Sequence, residues 1–341
     1  MSFVHRLSEA VRRGENLPLA LRALLTTATP ITRAGMWLRH RRPKVRVDAR
    51  VISFGNITAG GTGKTPAVIE RAALEMAAGN KVAIVTRGYG SYPADGPVAV
   101  TGDGKRDPRL ARRLGDEPAL MAMRLPGAVI VKSPDRVAGA QLAITKHGCD
   151  TIILDDAFQY VQLERDEDIV VIDSTNPFGN GHLIPRGILR EPLEALGRAT
   201  RFVLTHCDKG ADPEGLAVTL SEYNPGAPVR MTRHAPKHLW RVRDGKVIDA
   251  ASLEGRKLVA ACAIGNPEAF VRLVREFTGV STIDAEAFQD HRLLPITVLA
   301  AGAEAVIVTD KDAVKMDDSV PDNVYALSIA LEDWPATATE T

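Results

Sequence analysis

The chain of 341 residues is 45% apolar and 25% charged with a net charge of +1, ordinary globular values that exclude disorder, collagen and coiled coil as its architecture. At roughly 150 residues per domain, the length suggests two domains. Its three cysteines, Cys149, Cys207 and Cys262, are widely spaced and form no CxxC or Cys/His cluster. That argues against a disulfide framework or a zinc site and fits a reducing compartment, with each thiol a small buried apolar residue.

The charge is uneven. Residues 1–50 hold eleven basic and three acidic groups, a balance of +8 against −7 for the rest. No uninterrupted apolar run of 18 residues occurs there, because Arg22 and Pro30 break the best stretch; neither a membrane-spanning helix nor a cleaved signal peptide is expected. Leu17, Leu21, Leu24 and Leu25 share one helical face, and Met36, Trp37 and Leu38 follow among Arg33, Arg39, Arg41 and Arg42. An apolar face with a basic flank suits a helix lying on an anionic membrane surface; a helix packed on the protein's own core is the alternative. Without aromatic interleaving or a known module, no nucleic-acid partner is expected. Nothing points to an obligate protein partner.

From residue 50 the pattern becomes strand, Gly-rich turn, helix. Val51 to Phe54 reads as a buried parallel strand, followed by GNITAGGTGKTP and a helix from about Lys64 to Ala78. This context suits a phosphate-binding loop. Gly60, Gly61, Thr62 and Gly63 would present backbone amides to phosphate oxygens at a helix N-terminus. Lys64 would reach the β- and γ-phosphates and the Thr65 hydroxyl a Mg²⁺ ion. The full P-loop pattern has its first glycine where Thr58 stands.

The next strand is 81–86. Another strand at 128–132 leads to the DRVAGAQLAITKHG helix. TIILDD (151–156) then supplies the apolar strand ending in acid that accompanies such a loop, with Asp155 the magnesium-side carboxylate and Asp156 beside it. Further strands are expected at 168–173, 201–206, 257–265, 304–310 and 323–329. Alternating strands and helices imply an α/β protein with parallel sheets covered on both faces. Residues 223–242 show few periodic signals and mark a domain junction. The chain divides into 1–48 (basic amphipathic, membrane-associating segment), 49–226 (P-loop domain) and 227–341 (C-terminal α/β domain).

Phosphoryl transfer to an alcohol also needs a base and further cations. Four polar segments offer candidates: Arg87-Gly88-Tyr89-Gly90; Gly115-Asp116-Glu117-Pro118; residues 177–192 with Arg186, Arg190 and Glu191; and Phe288-Gln289-Asp290-His291-Arg292. Taken alone, Asp116 could be a helix N-cap, His291 a surface residue and PFGNGHL an ordinary Ω-loop.

Taken together, GNITAGGTGKTP, TRGYG, GDEP, DRVAGA, LDDAFQ, FGNGHLIPRGILREP, AIGNP, FQDH and VTDKDAVK resemble, in order, the tetraacyldisaccharide 4'-kinase family of Gram-negative bacteria. The resemblance runs from about residue 50 to 316. It implies two α/β/α domains with the active site in the cleft between them, ATP and Mg²⁺ as cofactors, and a peripheral place on the cytoplasmic face of the inner membrane. It implies a lipid substrate, the tetraacylated glucosamine disaccharide 1-phosphate, phosphorylated at its 4'-hydroxyl to lipid IVA. It also implies that Asp116 is the base and His291 its dyad partner, that Glu117, Asp155 and Asp156 surround the metal and catalytic centre, and that Gln159, Arg136, Arg190, Glu191 and Tyr89 occupy other active-site positions.

The departures are Ala157 and Tyr160 in DDAFQY, where the family reads DDGFQH, and Arg292 after His291. Two other classes fit less well. A partitioning ATPase would need a lysine at Ala59, and a GTP switch would need NKxD, which THCD (205–208) and TDKD (309–312) match poorly.

Overall fold

The computed structural model describes residues 11, 18–89, 91–93, 95–209, 212–280, 282–289 and 292–335. In chain order these form α1 (Leu19–His40), β1 (Arg50–Gly55), α2 (Lys64–Ala77), β2 (Val82–Thr86), β3 (Val98–Thr101), α3 (Pro108–Leu114), α4 (Asp116–Arg124) and β4 (Val129–Lys132). Then come α5 (Arg136–His147), β5 (Thr151–Leu154), β6 (Glu167–Asp173), β7 (Arg201–Thr205), α6 (Pro213–Tyr223), β8 (Val229–Arg241) and β9 (Val247–Ile248). The chain continues through β10 (Leu258–Cys262), α7 (Pro267–Thr278), β11 (Ile283–Ala287), α8 (Ile296–Ala301), β12 (Ala305–Thr309), α9 (Asp310–Ala313) and β13 (Val324–Asp333). The predicted strands recur within one or two residues at most ends; β13 runs further than expected.

The chain folds as two compact units. The first comprises Met1–Lys64, Asp150–Arg233 and Glu332–Thr341. Its sheet is parallel. β1 lies between β5 and β6, with Ser53 opposite Leu154 and Phe54 opposite Ile169. β7 follows β6, and the start of β8 follows β7. Apolar runs such as IIL in β5 bury that strand throughout and bury β1, β6 and β7 except at their ends, as a sheet covered on both faces requires. One core gathers Phe158, Val170, Leu196, Phe202 and Leu220, with Met36 of α1 inserted into it.

The second unit comprises Thr65–Cys149 and His234–Leu331. Here β2 pairs parallel with β4, and β3 runs antiparallel along the other side of β4. A parallel set has β10 between β11 and β12, with β13 beyond β12. α5 packs on β2 and β4. Its ends follow ordinary capping chemistry. The Asp135 carboxylate accepts from the Val137 and Ala138 amides, and Gly148 closes the helix at φ 64°, a left-handed conformation that glycine adopts without penalty.

Two expectations change. Residues 229–241, read from sequence as part of an aperiodic junction, form the long strand β8. Most of its residues are half-buried, and the buried Thr232, Ala235, Leu239 and Trp240 fall at no regular interval, so neither a buried-strand run nor a period of two marks it. The leucines expected on one face of the N-terminal helix do not share an environment: Leu21 and Leu25 are half-buried but Leu24 is exposed. Leu17 lies outside the described residues. α1 continues through Pro30 as one helix of 22 residues.

Candidate active site

In the first unit, the phosphate loop grows from the end of β1, and parallel pairing puts the end of β5 beside it. Gly55 is required at that junction. A Cβ there would stand 2.5 Å from both Cβ and N of Phe158, so only glycine lets the two backbones approach. The Ala157 amide donates to the Phe54 carbonyl at 3.0 Å, and the Gln159 side-chain amide donates to Asn56 O at 2.9 Å. On the other side, the 177–192 segment clamps the loop. Ala59 N donates to Ile188 O and Arg190 N to Ile57 O, both at 2.7 Å. From the end of β7, the Thr205 hydroxyl donates to the Thr62 carbonyl at 2.9 Å. This is the T of THCD, which therefore braces the loop.

The loop thus fixed is open where phosphate would sit. Gly60 and Gly63 have positive φ, 127° and 74°. Among the described residues, the amides of Gly60 to Gly63 donate no hydrogen bond. Lys64 opens α2, and its Nζ lies 3.3 Å from Asp156 Oδ1. Arg190 Nη1 donates to both oxygens of Asp156, at 2.9 and 3.0 Å, and to Gln159 Oε1 at 3.3 Å. Asp156 itself has φ 49°, a conformation that Asp tolerates better than most residues. Burial pushes its carboxyl upward, but Lys64 and Arg190 outweigh that and leave it below the ordinary carboxylate range,. Asp155 is buried at the end of β5. Glu191 is also buried, with Oε2 accepting from Arg198 at 2.8 Å. Arg198 in turn lies over the Phe158 ring.

In the second unit, Asp116 and Glu117 open α4. Asp116 is not the N-cap: Gly115 holds that position at φ 110° without a side-chain cap. A Cβ on Gly115 would lie 2.9 Å from Tyr89 O, so GDEP and the TRGYG turn touch there. Asp116 is 7% exposed, and its Oδ1 accepts from the Glu117 amide at 3.0 Å.

A cation the sequence reading passed over stands beside it. Lys311 Nζ is 3.8 Å from Asp116 and 3.5 Å from Glu117. Lys311 is carried by α9 between two buried acids, each held by several donors. Asp310 accepts from Arg124, Trp240 and Ser328. Asp312 accepts from Thr309, Lys315 and the Ala263 amide. VTDKDAVK contains this lysine, but nothing in its local spacing tells it from a surface charge. Arg136 is buried with Nη1 donating to Ser133 O, whereas Tyr89 is 74% exposed. His291 lies outside the described residues.

The donor set suits magnesium nucleotide. Mg²⁺ takes one or two carboxylates or a hydroxyl and completes its shell with phosphates and water. Thr65 at the start of α2 and Asp155 at the end of β5 are oxygen donors of that kind. No group of three or more His, Cys, Asp or Glu able to cage a metal occurs among the described residues.

A model of the tetraacyldisaccharide-1-P 4'-kinase family matches residues 17–340. The tetraacyldisaccharide 4'-kinase of Anaeromyxobacter sp. (strain K) is 42% identical over 313 residues, covering 88% of this chain and 81% of its own. That of Geobacter sulfurreducens is 36% identical, covering 87% and 83%. The crystal structure of LpxK from Aquifex aeolicus in complex with ATP superposes with a TM-score of 0.71 at 28% identity, covering 92% of this chain and 95% of that one. The open phosphate loop, its paired lysine and the GDEP carboxylates thus occur in a chain similar to these kinases along nearly its whole length, and the chain belongs to the tetraacyldisaccharide-1-P 4'-kinase (LpxK) family.

Proposed function

We propose that this protein transfers the γ-phosphate of ATP to the 4'-hydroxyl of the tetraacylated glucosamine disaccharide 1-phosphate in lipid A biosynthesis. The observation that carries the proposal is the phosphate loop whose lysine is already aimed and charge-paired by Asp156. Nucleotide phosphates would take the open amides of Gly60 to Gly63. Lys64 would move from Asp156 to the β- and γ-phosphate oxygens, and Arg190 would hold Asp156 in place behind it. Thr65 and Asp155 would each offer an oxygen to Mg²⁺, whose charge would offset that of the nucleotide phosphates.

Asp116 would accept the proton of the 4'-hydroxyl as the new O–P bond forms and the bond to the β-phosphate oxygen breaks, releasing ADP. Glu117 belongs to the same acidic pair. Lys311 would hold both carboxylates in register. Arg136, Gln159 and Tyr89 complete the set around nucleotide and acceptor, and His291 is assigned as the partner of Asp116. Glu191 would act through Arg198, keeping the 177–192 segment against the loop.

The reading divides the chain into a membrane-associating segment (1–48), the kinase domain (49–226) and a C-terminal α/β domain (227–341). It places the protein on the cytoplasmic face of the inner membrane. No helix among the described residues is long and apolar enough to cross a membrane. Instead, Leu24, Ile31 and Leu38 are exposed by 65%, 76% and 60%, at spacings of seven that align them along α1. Arg39, Arg41 and Arg42 follow at its end. That combination suits shallow, partly electrostatic docking on an anionic surface.

The test is a purified-enzyme assay with γ-labelled ATP, Mg²⁺ and the acceptor in detergent micelles, with Lys64→Ala as control. Label entering the lipid with wild type alone is the expected result. ATP binding without labelled lipid would reject this acceptor and direct attention to Ala157, Tyr160 and Arg292.

A further inference from the structure

β7 ends beside the phosphate loop, and the residue that follows it is held in an unusual conformation. His206 has φ 57°, in the left-handed region that is costly for a residue with a Cβ. Among the described residues, one other non-glycine residue has positive φ, Asp156. Both follow strands of the first unit at the sheet edge where the phosphate loop begins. Such outliers persist only where their surroundings hold them, and they gather at functional sites.

The hold on His206 comes from three directions. Before it, Thr205 O accepts from the Ser174 amide at 3.0 Å; after it, the Cys207 amide donates to Thr232 O at 3.1 Å. The buried imidazole is hooked to the end of β6, with Nδ1 3.1 Å from Asp173 Oδ1. Asp173 is braced in turn, its Oδ1 accepting from the Thr175 amide at 3.0 Å and the Thr175 hydroxyl at 2.7 Å. Burial pushes the Asp173 carboxyl upward, but the bonds from His206 and Thr175 outweigh that and hold it below the ordinary range,.

The consequence lies one residue earlier. The Thr205 hydroxyl has one proton and two carbonyls in reach, Thr62 O at 2.9 Å and Ile172 O at 3.4 Å. Its choice of the loop therefore depends on where the backbone holds it. Thr62 and Gly63 are joined by a trans peptide, whose C=O and N–H point in opposite directions. Holding Thr62 O toward β7 turns the Gly63 N–H away from β7. That amide is one of those assigned above to nucleotide phosphate.

We propose that the His206–Asp173 pair is a positioning device for the phosphate loop: it locks the turn after β7, the turn aims the Thr205 hydroxyl at Thr62 O, and the peptide so fixed presents the Gly63 N–H to phosphate. The proposal rests on the reading of residues 60–65 as the nucleotide phosphate site. The test is calorimetric titration of the full-length protein with ATP and Mg²⁺. Thermal melting confirms that each variant is folded at the titration temperature.

Thr205→Val should raise the Kd for ATP roughly tenfold, the weakening of one hydrogen bond to a charged group. Thr205→Ser, which keeps the hydroxyl, should stay near wild type. His206→Ala loses the hook and keeps the backbone penalty, so it should approach the Thr205→Val loss. His206→Gly also loses the hook, but glycine takes positive φ at no steric cost, so it should bind ATP more tightly than His206→Ala. Thr205→Val combined with His206→Ala should bind no more weakly than Thr205→Val alone, because both act through the same bond. Equal losses in His206→Ala and His206→Gly would overturn the proposal, since the imidazole itself would then be what ATP binding needs. Additive losses in the double variant, or unchanged affinity in Thr205→Val, would overturn it as well. A wild type that binds no ATP would defeat the reading of the loop and the proposal together, whereas tight binding by wild type and every variant alike would defeat the proposal alone.

Discussion

Asp156 and Asp116 are both carboxylates beside a lysine, and they differ in how that lysine is held. Asp156 is gripped by two cations, Lys64 at 3.3 Å and Arg190 at 2.9 Å. Asp116 faces Lys311 at 3.8 Å, beyond hydrogen-bond reach. In the first unit the carboxylate serves the cation, holding Lys64 beside the glycine-rich loop, where the proposed nucleotide phosphates would compete for it. In the second the cation serves the carboxylates: Lys311 is itself fixed from both sides and sits between Asp116 and Glu117. A tight pair positions a charge; the proposed function gives Asp116, which lies further from its lysine, the proton-accepting part.

The largest expected effect is at the cation of the tight pair. Lys64→Ala should lower phosphate transfer by about a thousandfold or more, since electrostatic stabilisation carries most of a phosphoryl-transfer rate. Labelled-lipid turnover measures it; retained turnover would undo the assignment of the loop. Asp116→Ala should lower kcat by roughly a hundred- to ten-thousandfold, the range for a lost general base, with ATP affinity little changed. A collapse of ATP binding would instead make Asp116 a structural or metal-binding acid and erase the contrast between the two carboxylates.

Asp156→Asn should fall below both, with the KM for ATP raised severalfold and a smaller loss in kcat, because Lys64 remains but is no longer aimed. Its pH signature separates it from the others. Burial raises the Asp156 carboxyl, but Lys64 and Arg190 outweigh it and leave the pKa depressed. A depressed folded pKa contributes stability that is complete above the unfolded value, about 3.9. That stability is lost as pH falls through the folded value. The Tm gap between wild type and Asp156→Asn should therefore be widest near neutral pH and close below about pH 4. A gap that persists in acid would mean the ion pairs do not hold Asp156.

The sequence was most informative where function depends on local order along the chain. A strand, glycines and Lys-Thr at a helix start are contiguous, so Gly60 to Thr65 and the Asp155–Asp156 pair could be read directly. Parallel pairing of β1 with β5 then brings the two together, as alternating strands and helices imply. What was hidden depends on distant contacts. Lys311 reads as one charge among many until α9 sets it beside Asp116. Glu191 stands out in the LREP motif, but its pairing with Arg198 at 2.8 Å leaves no mark in the sequence. β8 was hidden because half-burial leaves no period to detect. The leucines near the start of α1 misled in the opposite direction: their spacing is helical, yet Leu24 is on the exposed stripe while Leu21 and Leu25 are half-buried.

The smallest effect tests the scaffold behind the loose pair. Cys262 ends β10 in a core with Leu258, Phe270 and Ile307. Burial, and then the charge of Asp312, push its thiol up to about 12. At pH 8 it is therefore a protonated, enclosed thiol, and iodoacetamide should label it only after denaturation, as read by peptide mass mapping. Asp312 flanks Lys311 and accepts from Thr309, Lys315 and the Ala263 amide, so the acid that adds to the effect of burial on Cys262 also anchors the turn that carries Lys311. Asp312→Asn removes the charge but leaves the burial. If the scaffold keeps its shape, Cys262 stays protected and turnover stays near wild type. If Cys262 becomes reactive in the native protein, the end of β12 has opened. Turnover should then fall along with it, because Lys311 no longer stands between Asp116 and Glu117. Reactivity gained without loss of turnover would separate the two and show that the Asp116 site does not depend on a fixed Lys311.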